Sequence, residues 1–320
     1  MTYVKRYIIK RLLQAIPLLF LITIIVFCMM HFAPYDAVDS MTTPQMSAQT
    51  VQLIKAKYGY DKPLVVQYAL WLKGIATGNF GYSIVTHQSI AVDLAARIPA
   101  TIQLVLPAYL AALLLSVFLG LSAGAHKGKW SDKLIDGFCS LGIATPPFWF
   151  AMLLIFFLGF RLNLLPVLGM HTIGMENSAA DYAAHYVMPF IVMVLAFVPD
   201  LTRYVRSSTI GQLSEDYVMV QKAFGASRFE ILSRHVAKNV LLPIITKSGM
   251  MLPMLVTGSI IIESVFSWPG VGPYFIKAIQ GMDYPIVMAI LILSSTLVIV
   301  GNLLSDILYC LTDPRIREMG

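Results

Sequence analysis

The chain predicts an all-α polytopic membrane protein with six transmembrane helices and both termini in the cytosol. Three observations predict it. Of the 320 residues, 58% are hydrophobic and only 12% are charged, where a soluble domain carries about 25% charged residues. Apolar segments long enough to cross a hydrocarbon core of ~30 Å recur along the whole length. The basic residues are unevenly shared, with 16 of the 23 Lys and Arg in segments that fall on one side of such a bundle, as cytosolic loops require. The net charge of +6 gathers at loop ends, which argues for orientation in a bilayer rather than nucleic-acid binding.

The six segments cover residues 12–30, 101–125, 134–160, 187–205, 244–266 and 285–310. The first is longer than a signal-peptide core and has no small-residue cleavage site after it. The third carries Pro146 and Pro147, the fourth Asp200 and Arg203, and the fifth Gly249, Pro253 and Gly258. Interrupted helices survive in lipid only where neighbours or water satisfy the freed backbone groups, so these three point to a bundle around a cavity. Lys5, Arg6, Lys10 and Arg11, then Lys127, Lys129 and Lys133, the seven basic residues from Arg203 to Lys247, and Arg315 and Arg317 mark the cytosolic side. The resulting division is an N-terminal segment with its span (1–32), an extracytoplasmic loop (33–99), a five-helix core (100–310) and a cytosolic tail (311–320). The loop is long and has turn signals at Tyr58–Pro63 and Gly78–Gly81, and a connection of that length is usually functional. A second external loop runs over 161–186.

Residues 206–243 form a polar cytosolic loop between the fourth and fifth spans. Ser214 followed by Glu215 and Asp216 reads as a capped helix start with acids facing the helix dipole. That helix ends near Phe224, where Gly225 suits a left-handed closure. Ser227 and Glu230 then form a capping box ahead of Phe229, Ile231, Leu232 and Val236. The product is helix, glycine corner, helix, with Ala223, Phe224, Gly225, Ala226 and Ser227 at the corner. Such a knob fits a groove on a partner protein. With Lys222, Arg228, Arg234 and Lys238 it equally fits a helix lying on the membrane surface, and the residues alone do not choose between the two.

Competing chemistries lack their residues. No Gly-x-Ser-Gly, no His-Glu-x-x-His and no two histidines at i, i+3 or i+4 occur. The run from Gly124 to Trp130 departs from a phosphate loop by one residue and by Trp130 in place of Ser or Thr, so ATP must act through another chain. No filter-like sequence supports a channel. Cys28, Cys139 and Cys310 lie in apolar stretches and read as small buried hydrophobes. Glu263 and Asp306 read as interfacial acids, hydrated or paired with Lys277 or Arg315. Asp200 and Arg203 read as an i, i+3 pair on one helix face. Trp149 and Trp268 fit interfacial anchors as well as substrate contacts.

Four ordered motifs carry a resemblance. The loop around Gly225 resembles the "EAA" loop of binding-protein-dependent ABC importer permeases, and more narrowly that of the B-type permease of dipeptide, oligopeptide and nickel importers. Met219, Val220 and Gln221 stand where the general family has Glu-Ala-Ala. Likewise His235, Ala237 and Lys238 stand at its I-x-L-P positions. Arg234, His235, Asn239, Leu242 and Pro243 instead match the peptide subfamily's form. Glu263–Gly272 resembles that subfamily's E-x-V-F-x-W-P-G-x-G signature. Asp306–Leu311 followed by Asp313–Arg317 resembles its C-terminal ending, and the basic start, single span and Phe80–Ser83 resemble its N-terminal pattern.

The resemblance implies a type I ABC importer permease fold. It also implies a second homologous permease subunit, two ABC ATPase subunits that bind the ATP and Mg, an extracytoplasmic solute-binding protein, and no cofactor or metal in this chain. It implies that Glu215, Asp216, Ala223, Phe224, Gly225, Ala226, Ser227, Arg228, Arg234 and His235 couple the chain to the ATPase. The implied cargo is a peptide, with nickel, a metal chelate or haem as alternatives.

Overall fold

Helix dominates the computed structural model, which describes residues 2–32, 46–58, 61–249, 251, 253–254 and 260–312. Helix α1 (Thr2–His31) is followed by α2 (Ala48–Tyr58) and α3 (Leu64–Ala76), then α4 (Ile90–Ala125), α5 (Trp130–Ala144) and α6 (Pro147–Leu154). A π-helical turn, Ile155–Arg161, extends α6. Next come α7 (Ala179–Leu213), α8 (Asp216–Ala223) and α9 (Arg228–Glu230), which passes through π-helical Ile231–Val236 into α10 (Ala237–Gly249). Helices α11 (Ile260–Val265), α12 (Val271–Gln280) and α13 (Tyr284–Thr312) complete the order. Among the described residues the β contact is a single isolated bridge, Tyr82 to Ser89.

Four helices are long and apolar enough to cross a membrane: 9–29 in α1, α4, α7 and 284–307 in α13. The bent pair α5 and α6, which meet at 94°, makes a fifth if the two form one span. The bend falls where Pro146 and Pro147 deny amide donors to the preceding turn. Thr145 closes that turn, its hydroxyl donating to the Leu141 carbonyl at 2.8 Å. The expected span over 244–266 is occupied by the end of α10 and by α11, and its middle lies outside the described residues. So do the tail beyond residue 312 and Gly258.

Several helices outrun the apolar segments: α1 starts at Thr2, and α7 runs on to Leu213, so the expected loop over 206–243 begins only at Ser214. The helix of the second span starts at Ile90, eleven residues before the apolar run at Thr101, because α4 continues back through Pro99. The long loop expected over 33–99 is partly helical, with α2 and α3 inside it. The second external loop is shorter than expected, since α7 begins at Ala179 under a cap from Ser178, whose Oγ accepts the Asp181 N–H.

The core is the pairing of α4 with α7. Gly120 and Gly124 allow it. A Cβ on Gly120 would meet Val205 Cβ at 2.5 Å, and one on Gly124 would meet Thr209 Cβ at 2.6 Å. Small residues four apart let membrane helices pack backbone to backbone, where lipid removes the usual hydrophobic drive. Ser116 adds a buried bond across the same seam, donating to the Val198 carbonyl at 3.1 Å. Helix α1 packs on α13 and α3. There Phe27 stacks among Tyr68 and Trp71, while Leu13 and Ile16 face outward, as lipid contact requires.

Candidate functional site

The polar loop after α7 folds as a helix, a glycine corner and a second helix. Its first helix starts one residue later than the sequence predicts. Ser214 does not cap it. The Ser214 hydroxyl donates back to the Gly211 carbonyl at 2.7 Å and closes α7. Glu215 occupies the N-cap without a side-chain cap bond, and Asp216 opens the first turn. Both acids still meet the positive end of the helix dipole. Ala223 ends α8 and Phe224 is its C-cap.

Gly225 adopts φ +79°. Its N–H donates to the Lys222 carbonyl at 3.0 Å, and the Ala226 N–H to Gln221 at 3.1 Å, the paired closure that satisfies a helix end. Nothing lies within 4 Å of a Cβ built there. Backbone angle, not crowding, selects glycine. Ser227 then caps α9 by accepting the Glu230 N–H at 3.2 Å. Only this half of the expected capping box forms, because the Glu230 carboxylate accepts from Arg234 at 3.0 Å instead. His235 is half-buried within the π-helical turn.

The corner has two faces. Its inner face buries Val218, Ile231, Val236, Val240 and Ile244 against Val205 of α7. Gln212 bolts this face to α7. Its side-chain oxygen accepts from both Tyr217 Oη and Asn239 Nδ2, each at 3.0 Å. The Arg228 guanidinium turns inward and donates to the Ala125 carbonyl, one of the end groups a helix leaves unsatisfied. The outer face holds Met219, Val220, Phe224 and Phe229, which are 71, 50, 85 and 80% exposed. Large apolar side chains this exposed beyond the spans mark a surface for protein or membrane contact.

The residues predicted for this surface therefore divide. Glu215, Asp216, Ala223, Phe224, Gly225, Ser227, Arg228 and Arg234 are exposed, with Arg228 also tying the loop to α4, and Ala226 and His235 are half-buried. Sequence reasoning missed the clamp beside it. Arg206 grips buried Asp132 bidentately, at 2.5 and 2.8 Å, while the Gly128 N–H donates to the same carboxylate at 2.8 Å. An acid set alone between Lys129 and Lys133 was the available signal.

At the opposite end, two sequence readings are corrected. Glu263 is neither hydrated nor paired with Lys277. It is fully buried and accepts the Gly272 N–H at 2.8 Å. Cβ atoms on Gly270 and Gly272 would lie 2.3 and 2.9 Å from its Oε2, so the two glycines exist to let the carboxyl in. Trp268 is no interfacial anchor. It is buried and donates from Nε1 to the Ala100 carbonyl at 2.8 Å. The Glu263–Gly272 stretch thus forms a plug against α4, fixed also by the Val271 N–H donating to Thr101 Oγ1 at 2.9 Å. Back at the end that carries the basic N-terminus, Asp306 pairs with Arg11 at 3.2 Å; Arg315 lies outside the described residues. Trp149 is half-exposed. The external loop is stapled by Asp283, which accepts from the buried Ser83 hydroxyl and from the Ile84 and Val85 N–H groups.

Cys28 and Cys139 are free thiols; Cys139 is buried as expected and Cys28 only partly so. Among the described residues no group of three or more His, Cys, Asp or Glu could hold a metal ion.

Residues 116–318 match the family model described as "Binding-protein-dependent transport system inner membrane component", and residues 4–105 match its N-terminal companion. The chain belongs to this family. It is the multi-pass inner-membrane component of an ABC transport system, a permease and not itself an enzyme. Such a permease works with ATPase and solute-binding partners. Among its relatives are the oligopeptide transport system permease protein AppB of Bacillus subtilis (strain 168), 38% identical over 312 residues, and the glutathione transport system permease protein GsiC of Escherichia coli (strain K12), 32% identical over 311 residues. Each alignment covers 97% of this chain, and 99% and 98% of the relative respectively.

Proposed function

We propose that this permease forms half of the translocation pathway of an ATP-driven peptide importer and couples it to the ATPases through the corner at Gly225. A second homologous permease completes the pathway, and two ATPase subunits dock from the cytosol. Six spans and cytosolic termini follow if 244–266 crosses the bilayer, as the positive-inside distribution of Lys and Arg supports. The peptide cargo is supported by the alignments along nearly the whole chain with an oligopeptide and a glutathione permease.

The observation that carries the coupling role is the two-faced corner. Its inner side is bonded to the cytosolic ends of α4 and α7, while four large apolar side chains point away from the protein. A surface-lying linker would spend its apolar side on lipid, whereas Val218, Ile231 and Val236 spend theirs on the membrane helices. A force applied at Phe224 therefore reaches both central spans. Glu215, Asp216, Ala223, Ala226, Ser227, Arg234 and His235 frame this contact. The external loop, held by its staple at Asp283, forms the mouth that receives the solute-binding protein.

The test is uptake of a radiolabelled tripeptide by proteoliposomes holding both permeases, the ATPases and the binding protein. Gly225→Pro removes the N–H donated to Lys222 and imposes a negative φ. Uptake and binding-protein-stimulated ATP hydrolysis should both be lost while the chain still inserts. Survival of both activities in that variant would refute the coupling assignment.

A further inference from the structure

Helix α7 carries a charge that the described residues leave unanswered. Asp200 does not pair with Arg203. Arg203 instead reaches α5, donating to Ser140 Oγ at 2.6 Å and lying 3.8 Å from Asp136. The next arginine, Arg206, is taken by Asp132. The Asp200 carboxylate is exposed and makes no hydrogen bond or ion pair among the described residues.

Its position makes that costly. Asp200 precedes Val205, the cytosolic end of the apolar run, by five residues, or about 7 Å along the helix. A carboxylate facing hydrocarbon costs about 2.5–3.5 kcal/mol at the bilayer centre and less toward the interface, so Asp200 still favours a polar neighbour.

A cavity of about 290 Å³ opens beside it, in the bend between α5 and α6. Phe138, Leu141, Phe150, Leu195 and Pro199 wall it, and Asp200 is its one charged group. Pro199 also seals its floor, since a Cβ on Gly142 would come within 2.5 Å of the proline ring. An apolar pocket with one acid suits an apolar side chain next to a primary ammonium group. A single carboxylate without further ligands does not suit a metal ion.

We propose that Asp200 lines the translocation pathway and receives the free α-ammonium group of the passing peptide, whose first side chain enters the pocket under the α5–α6 bend. The inference rests on the peptide-importer reading. A peptide brings the counter-charge that the described residues lack, and the amide isostere could still accept a hydrogen bond but would lose the ion pair.

The experiment measures uptake of the tripeptide Ala-Phe-Ala by the complete reconstituted transporter, comparing wild type, Asp200→Asn and Asp200→Glu. We expect KM for uptake to rise about tenfold in Asp200→Asn, the cost of losing the ion pair, and Asp200→Glu to recover most of it. Both variants should co-elute with the second permease and the ATPases. Equal KM in wild type and Asp200→Asn would overturn the assignment. So would loss of the second permease from the Asp200→Asn complex, which would make the carboxylate an interface residue. A wild-type complex that fails to take up the tripeptide would instead refute the peptide reading.

Discussion

Replacing Phe224 by alanine separates docking from folding. The side chain is 85% exposed at the C-cap of α8, so its removal opens no cavity and should change the permease's own stability by less than about 0.5 kcal/mol. Docking is different. A Phe side chain buries about 150–250 Å² when covered, and nearly all of that area is still available here. At ~25 cal/mol per Å², covering it contributes about 4 kcal/mol before costs. Ordering and imperfect fit reduce this to roughly 2–3 kcal/mol, the range of an aromatic hot spot. Because each 1.4 kcal/mol is a factor of ten, Kd for the ATPase should rise roughly 30- to 140-fold. The assay is titration of purified ATPase onto nanodisc-embedded permease complex, with thermal unfolding of the same samples as control. An unchanged Kd at unchanged unfolding temperature would show that the outer face of the corner is not the docking face, and the two-faced argument would fall with it.

Other expectations follow from the same contacts. Gly225→Ala forces a Cβ into the left-handed region without any clash, so it should cost only about 1–2 kcal/mol and leave partial ATP-coupled uptake where Gly225→Pro leaves none. Arg206→Ala strands the buried Asp132 charge and should destabilise the permease by about 3 kcal/mol in denaturant or thermal unfolding, whereas adding Asp132→Ala should recover part of the loss. Gly120→Val drives a side chain into Val205, whose Cβ would lie only 2.5 Å from a Cβ at position 120, and should lower the detergent unfolding temperature sharply. Asp283→Ala leaves Ser83 and two backbone donors without their acceptor, and should expose residues 84–89 to limited proteolysis.

Much of the corner was legible because its determinants are local. A glycine with φ +79° and a serine three residues before Glu230 act through bonds spanning a few residues, and such patterns survive in sequence. The cap at Ser214 was misread for a related reason. A serine between two helices can bond backward or forward, and its choice of the Gly211 carbonyl depends on where α7 stops. The bend at Pro146–Pro147 was visible as a break, but the 94° angle was not, since it depends on packing against α7. Arg203 lay at the right spacing for Asp200, yet α5 runs alongside and offers Asp136 and Ser140. Glu263 escaped for the strongest reason. Its burial is created by Thr101 and Gly270, and Thr101 lies 162 residues away in the chain.

The close seam of α4 and α7 has a consequence for how such chains diverge. The space at position 120 is filled by the side chain of position 205, and that at 124 by position 209. Enlarging either glycine is survivable only if its opposite number shrinks in the same lineage. These two pairs should drift in step, as compensated exchanges, while the lipid-facing sides of the same helices wander freely.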